Sequence, residues 1–141
     1  MNILGMQSKI GKQNMKKVII TGVSTGIGYS SAKILCSSGY AVYGSVRKSE
    51  DAKRISSSLG DNFHPLIFDV TDSKAIAENI EKVKNDLKPG ESIAGLVNNA
   101  GIALGGPVTL IDLEVFRKQF EVNFFGLINV TKACLPLLGA R

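Results

Sequence analysis

The sequence predicts an α/β fold, a doubly wound parallel sheet of about four strands with helices on both faces. Three observations carry that expectation. Short apolar runs alternate with stretches of helical periodicity along the chain. The apolar runs are continuous rather than alternating in polarity, as suits strands covered on both faces. The first of them runs straight into a glycine-rich turn that opens a helix.

Val18-Ile19-Ile20-Thr21 is apolar and β-branched and stops at Gly22, so it reads as a buried first strand. Ile27, Ala32, Ile34 and Leu35 are spaced for a helix that ends near Gly39. Tyr40 to Val46 reads as a second strand, Ser49 to Leu59 as a polar helix closed by Gly60, and Phe63 to Phe68 as a third strand. Thr71 and Asp72 are N-cap candidates for a helix whose apolar positions Ile76, Ile80, Val83 and Leu87 share one face. Pro89-Gly90 ends it, and Ile93 to Val97 supplies a fourth strand. A Gly/Pro loop then leads to a long helical stretch, Asp112 to Leu138, interrupted in pattern near Asn123 and Gly126. Phe116, Phe120, Phe124 and Phe125 recur on it at near-helical spacing and are expected in the core.

At 141 residues, 44% of them hydrophobic and 21% charged, the chain has the composition of one globular domain. That excludes collagen-like, disordered and disulfide-scaffold classes. The net charge of +5 invites a nucleic-acid partner, but its distribution does not. Lys9, Lys12, Lys16 and Lys17 precede any acidic residue, and beyond them the charges nearly balance. Residues 1–14 are expected to form a flexible basic leader, and 15–141 the domain. No apolar run between Met1 and Lys17 resembles a secretory signal. The longest uncharged run, Ser92 to Ile111, holds Asn98, Asn99, Pro107 and several glycines, so neither a membrane span nor a membrane partner is expected. Cys36 and Cys134 lack metal or redox spacing and read as buried thiols in a reducing, cytoplasmic compartment. His64 is the sole histidine, which leaves a metal centre or a histidine-based hydrolase little to build on.

Ligands of such sheets bind beyond the carboxyl ends of the strands, so the loops there are the places to look for chemistry. The first loop, Thr21-Gly22-Val23-Ser24-Thr25-Gly26-Ile27-Gly28, joins a strand to a helix. Its glycines allow positive φ and close backbone approach, and the helix start offers free N–H groups to a pyrophosphate. Glycines also serve as plain turn residues, and no lysine follows to make a phosphate loop of the nucleotide triphosphatase kind. The second strand ends in Arg47-Lys48, where NAD-binding sheets often carry an acid for the ribose 2′-hydroxyl. Two cations there suit a 2′-phosphate, hence NADP(H) over NAD(H); the plainer reading is a pair of exposed residues opening a helix. Asp69, at the end of the third strand, can accept from an adenine amino group or cap its own backbone. Asn98-Asn99 ends the fourth strand with two adjacent amides, which can stitch strands together or line a cleft.

The combination of TGVSTGIG at 21–28, Asp69-Val70, NNAG at 98–101 and Asn123 within EVNFFG resembles the short-chain dehydrogenase/reductase family. The likeness runs from about Lys16 to Leu138. It implies a Rossmann-type sheet in which Gly22, Ser24, Thr25, Gly26, Ile27 and Gly28 cradle the pyrophosphate and Arg47 lies near the adenosine phosphate. Asp69 and Val70 flank the adenine, Asn98 braces the central sheet, and Ala100 and Gly101 line the nicotinamide ribose. Asn123 matches the asparagine that helps hold a proton-relay water beside the family's catalytic lysine.

The family's serine and its Tyr-x-x-x-Lys pair lie beyond the helix that ends near Leu138. Within this sequence only Tyr29 and Lys33 have that spacing, and they fall on the first helix, in the cofactor-binding half. The expectation is therefore an incomplete sheet: the cofactor-binding portion of an NADP(H)-preferring oxidoreductase acting on an alcohol/carbonyl pair, inactive alone. The alternatives are a non-catalytic dinucleotide-binding module and an association or regulatory fragment. The fourth strand is expected at a sheet edge, with self-association through that edge or the long C-terminal helix.

Overall fold

A computed structural model describes residues 15–139. The expected leader, 1–14, lies outside the described residues. The elements run β1 (Lys17–Ile20), α1 (Gly26–Ser37), β2 (Ala41–Val46), α2 (Ser49–Leu59), β3 (Phe63–Ile67), α3 (Ser73–Asn85), β4 (Ile93–Val97), α4 (Leu113–Phe120) and α5 (Leu127–Cys134). A π-helical segment, Glu121–Gly126, joins the last two, and a 3₁₀ turn, Leu135–Leu137, follows α5. Pro136 sits inside that turn, where it cannot extend an α-helix.

The four strands form one sheet of order β3-β2-β1-β4, every pairing parallel. Strand alternation sorts the apolar side chains into two layers. Val18, Ile20 and Val42 join Ala32, Cys36, Ala52 and Ile55 of α1 and α2 in one core. Ile19, Tyr43 and Leu66 join Ile76, Ile80 and Val83 of α3 and Val130 and Cys134 of α5 in the other. The result is a three-layer α/β/α fold, as the continuous apolar strands imply. Both cysteines are buried and free, and burial pushes the Cys134 thiol up to about 11.

β4 is an edge, and Ala94 and Val97 on it are exposed. Among the described residues its outer side pairs with Leu138, through a single parallel bridge to Ile93, reinforced by the Gly139 N–H on the Ile93 carbonyl at 3.3 Å. The long C-terminal helix runs without a break from Leu113 to Cys134, and the disturbance at Asn123 and Gly126 is the π-helical segment within it. Gly126 lies against Val70, where a Cβ would come within 2.7 Å of a valine methyl. Three of the four phenylalanines expected in the core are a correction, Phe116 being partly buried. Phe120 is 61% exposed and Phe124 and Phe125 are each 51% exposed. α4 buries none of its residues, so its periodicity marks an apolar face that no described element covers.

At the amino-terminal end of the sheet, Lys17 pairs with Glu91 at 2.7 Å and also donates to the Asp86 carbonyl at 2.9 Å. That pair pins the α3–β4 connection beneath β1. Tyr43 stacks on His64 with ring centroids 4.8 Å apart, which accounts for the lone histidine as a packing residue. Burial and the nearby Asp86 carboxylate push the Tyr43 hydroxyl up to about 12.

Candidate functional site

At the carboxyl ends of the strands the chain forms a cleft of about 650 Å³, of the size that takes a nucleotide-like ligand. Its floor is the glycine loop. Gly22 and Gly26 hold φ of +70° and +61°, the left-handed region that glycine adopts without steric cost. A Cβ on Gly22 would lie 2.7 Å from the Ala100 Cα, and one on Gly28 would run into the Gly22 carbonyl and the Asn99 side-chain amide. The first and third glycines are therefore required by close approach, and the middle one by its dihedral alone.

Three polar side chains hold this loop in place. The Thr21 hydroxyl accepts the N–H groups of Asn99 and Ala100 at 3.0 and 2.9 Å. The Asn99 Nδ2 donates to the carbonyls of Thr21 and Gly22 at 3.0 and 2.8 Å. The Ser45 hydroxyl accepts from the Gly22 N–H at 3.1 Å. Loops from β1, β2 and β4 are thus joined where the strands end. The bracing expected of Asn98 belongs to Asn99. Asn98 instead donates to the Thr131 hydroxyl of α5 at 2.9 Å and does not line the cleft.

Thr25 is the N-cap of α1 and its side chain bonds none of the free N–H groups of the first turn. Those groups remain available to an anion at the positive end of the helix. Ser24 and Thr25 line the cleft, whereas Gly26, Ile27 and Gly28 do not. Ile27 is 80% exposed and Gly28 is packed behind the loop.

The far wall comes from β2 and β3. Arg47 lines the cleft, and Lys48 is the N-cap of α2; both are exposed. Asp69 and Val70 line it as well. Asp69 accepts the Thr71 N–H at 2.9 Å and the Thr71 hydroxyl at 2.7 Å, both on Oδ1. The capping reading of this acid is realised, and Oδ2 has no hydrogen-bond partner among the described residues. Burial pushes the Asp69 carboxyl up, but the two Thr71 bonds and the Arg47 charge outweigh it, so it sits below the usual carboxylate range.

The third wall is Ala100, Gly101, Ile102 and Leu104 together with Lys118, Glu121 and Val122 from the last helical region. Asn123 lies outside the lining. Its amide accepts the Ile102 N–H and donates to the Ile102 carbonyl, both at 2.8 Å. Ser45, Lys118, Glu121 and Val122 were not assigned from the sequence, and Asn99 only as one of two amides that stitch strands or line a cleft. The buried serine two residues before Arg47 and the doubled asparagine were the available signals, while the helical residues gave none. Tyr29 and Lys33 are absent from the lining, and the Tyr29 hydroxyl bonds Ser58 of α2 at 2.8 Å. Their spacing is coincidental with respect to this cleft.

The family model for short chain dehydrogenases matches residues 16–141. The chain belongs to the short-chain dehydrogenase family. Among curated relatives, the NADPH-dependent 3-dehydrocapnine reductase of Ornithobacterium rhinotracheale is 42% identical over 127 residues, covering 89% of this chain and 44% of the relative. The mitochondrial D-beta-hydroxybutyrate dehydrogenase of Bos taurus is 37% identical over 128 residues, covering 87% and 37%. Among solved structures, a short-chain dehydrogenase from Streptomyces avermitilis superposes with a TM-score of 0.78 at 29% identity, covering 89% of this chain and 45% of that one. The chain thus spans less than half the length of these short-chain dehydrogenases. The family is one of oxidoreductases, and the expected Rossmann-type sheet, open at β4, is the fold observed. No helix among the described residues is long and apolar enough to cross a membrane, and no group of metal-ligating side chains occurs among them.

Proposed function

We propose that the cleft binds NADP(H) in preference to NAD(H) and forms the cofactor half of an oxidoreductase acting on an alcohol/carbonyl pair. The observation that carries this reading is the glycine loop locked by Thr21, Ser45 and Asn99 on the floor of the 650 Å³ cleft, beside the uncapped start of α1. The residues fit the group: Gly22, Ala100 and Gly101 line the cleft without bulky side chains, and the first turn of α1 keeps its N–H groups free of a side-chain cap. Arg47, with Lys48 next to it, supplies the charge for a 2′-phosphate where an NAD site would have an acid. The NADPH dependence in the name of the bacterial reductase supports the same preference.

When bound, the cofactor supplies hydride exchange with the carbonyl or alcohol carbon. The work of this chain is to hold it. Gly22, Ser24, Thr25, Gly26, Ile27 and Gly28 present the pyrophosphate cradle, the last three through the main chain of the first helical turn. Asp69, through its free Oδ2, and Val70 flank the adenine. Ala100 and Gly101 face the nicotinamide ribose. Asn98 secures the end of β4 from outside the cleft. Asn123 braces Ile102 through its side-chain amide and, by its match to the family's asparagine, helps hold a relay water.

None of these residues is a proton donor of the Tyr-x-x-x-Lys kind, so the chain tested by itself binds cofactor without turnover, in a reducing, cytoplasmic setting. Titration with NADPH and NADH tests the proposal. NADPH should bind more tightly, and Arg47→Asp should abolish or reverse the preference. Absence of binding by either nucleotide would remove the proposal and the binding-module alternative together. A second reading, an association fragment, is favoured by the exposed Phe120, Phe124 and Phe125 and by the open β4 edge, the surfaces on which the chain would self-associate.

A further inference from the structure

Among the described residues, no main-chain hydrogen bond holds residues 101 to 106, although Gly101, Ile102 and Leu104 form a wall of the cleft. Side-chain amides take the place of a neighbouring strand. Asn123 bonds both the N–H and the carbonyl of Ile102, at 2.8 Å each. Gln119 does the same to Leu104, accepting its N–H at 3.0 Å and donating to its carbonyl at 2.7 Å.

The spacing explains why the two rungs coexist. Gln119 and Asn123 lie four residues apart, about one turn, across the junction of α4 with the π-helical segment. Residues two apart in an extended chain span about 6.7 Å and present their main-chain groups to the same side. Gln119 and Asn123 therefore meet Ile102 and Leu104 in register, running antiparallel. Lys118, Glu121 and Val122, which also line the cleft, sit on the same stretch of helix. The ladder thus makes one rigid wall out of a loop and a helical turn.

We propose that Gln119 is a positioning residue for the dinucleotide: by holding both main-chain groups of Leu104 it fixes the wall that Gly101, Ile102 and Leu104 present to the cofactor. The assignment rests on the NADP(H) reading. Gln119 itself does not line the cleft and acts through Leu104.

The decisive variant is Gln119→Glu. Its carboxylate keeps the acceptor for the Leu104 N–H, loses the donor to the Leu104 carbonyl, and faces that carbonyl as an acceptor against an acceptor. At pH 7 the dissociation constant for NADPH should rise about fivefold over that of the unaltered chain, the scale of one hydrogen bond lost at an exposed carbonyl. As the pH is lowered through the ordinary glutamate value of about 4.3 the carboxyl takes up a proton and regains the donor, so the ratio to the unaltered chain at the same pH should fall toward one. Gln119→Ala should show the pH 7 loss without recovery in acid. Amide exchange supplies a readout without nucleotide: Leu104 should be protected in the unaltered chain and exposed in Gln119→Ala, with Ile102 still protected.

Variants within twofold of the unaltered chain at pH 7, a ratio flat with pH, or a rapidly exchanging Leu104 in the unaltered chain would each overturn the assignment. Loss of protection at Ile102 and in the core as well would mark a global role for Gln119 and overturn it too. If the unaltered chain binds no NADPH, the cofactor reading fails and takes this role with it. A protected Leu104 would in that case still show the ladder, which separates the two failures.

Discussion

Substituting Gly28 by alanine probes the glycine loop at its tightest point. The added methyl would run into the Gly22 carbonyl, which is main chain, and into the Asn99 side-chain amide, which two hydrogen bonds hold in place. Asn99 must then withdraw from the carbonyls of Thr21 and Gly22, which it bonds at 3.0 and 2.8 Å. Two amide bonds are worth about 1 kcal/mol each, and forcing a methyl into close-packed backbone costs about 1–3 kcal/mol more. The expected loss is about 3–5 kcal/mol. For a chain of 141 residues that lowers the melting temperature by roughly 10–15 °C. Gly26→Ala is the internal reference, because its Cβ meets nothing within 4 Å and only the φ of +61° is strained. It should cost about 1–2 kcal/mol. Thermal unfolding of both variants, with NADPH titration well below the transition, is the assay. If Gly28→Ala melts no lower than Gly26→Ala, the close approach of Gly28 to Asn99 does not organise the loop and the account of it is wrong.

Thr21→Val keeps the shape of the strand end but strips the acceptor for two N–H groups. It should destabilise the chain by about 2 kcal/mol and weaken nucleotide binding, measured by denaturant unfolding and titration; an unchanged midpoint would refute it. Lys17→Met should cost about 2 kcal/mol at neutral pH, since it strands Glu91. The Lys17 hydrogen bond, then the Lys88 amide, hold the Glu91 carboxyl below its usual range. The pair's contribution is therefore complete above the ordinary glutamate value of about 4.3, and it fades as the pH falls through the lowered one. Unfolding curves of Lys17→Met and the unaltered chain should accordingly converge in acid, and a constant gap down to pH 2 would contradict the assignment. Phe120→Ser with Phe124→Ser should reduce self-association in sedimentation velocity without lowering the melting temperature, because both rings are more than half exposed; a chain already monomeric at high concentration would remove the association reading.

Much of this was legible in the linear chain, because it depends on local chemistry. Strand-length apolar runs, a glycine loop between strand and helix, and Asp72 capping α3 through the Ala75 N–H each follow from residues close in sequence. The sequence alone determined the alternation of strands and helices, the place of the cleft and the sign of charge at Arg47. The tertiary structure decided matters that depend on which distant groups meet. It gave the bracing to Asn99 rather than Asn98, because the Thr21 and Gly22 carbonyls lie within reach of that amide. It placed Phe120, Phe124 and Phe125 outside the core, because periodicity identifies an apolar face but not what covers it. It turned the irregularity at Asn123 into a π-helical segment beside an amide ladder, a pairing of residues 21 and 15 positions apart. Hydrogen bonds of that separation leave no periodic trace in a sequence, since their register is set only when the loop and the helix are brought side by side.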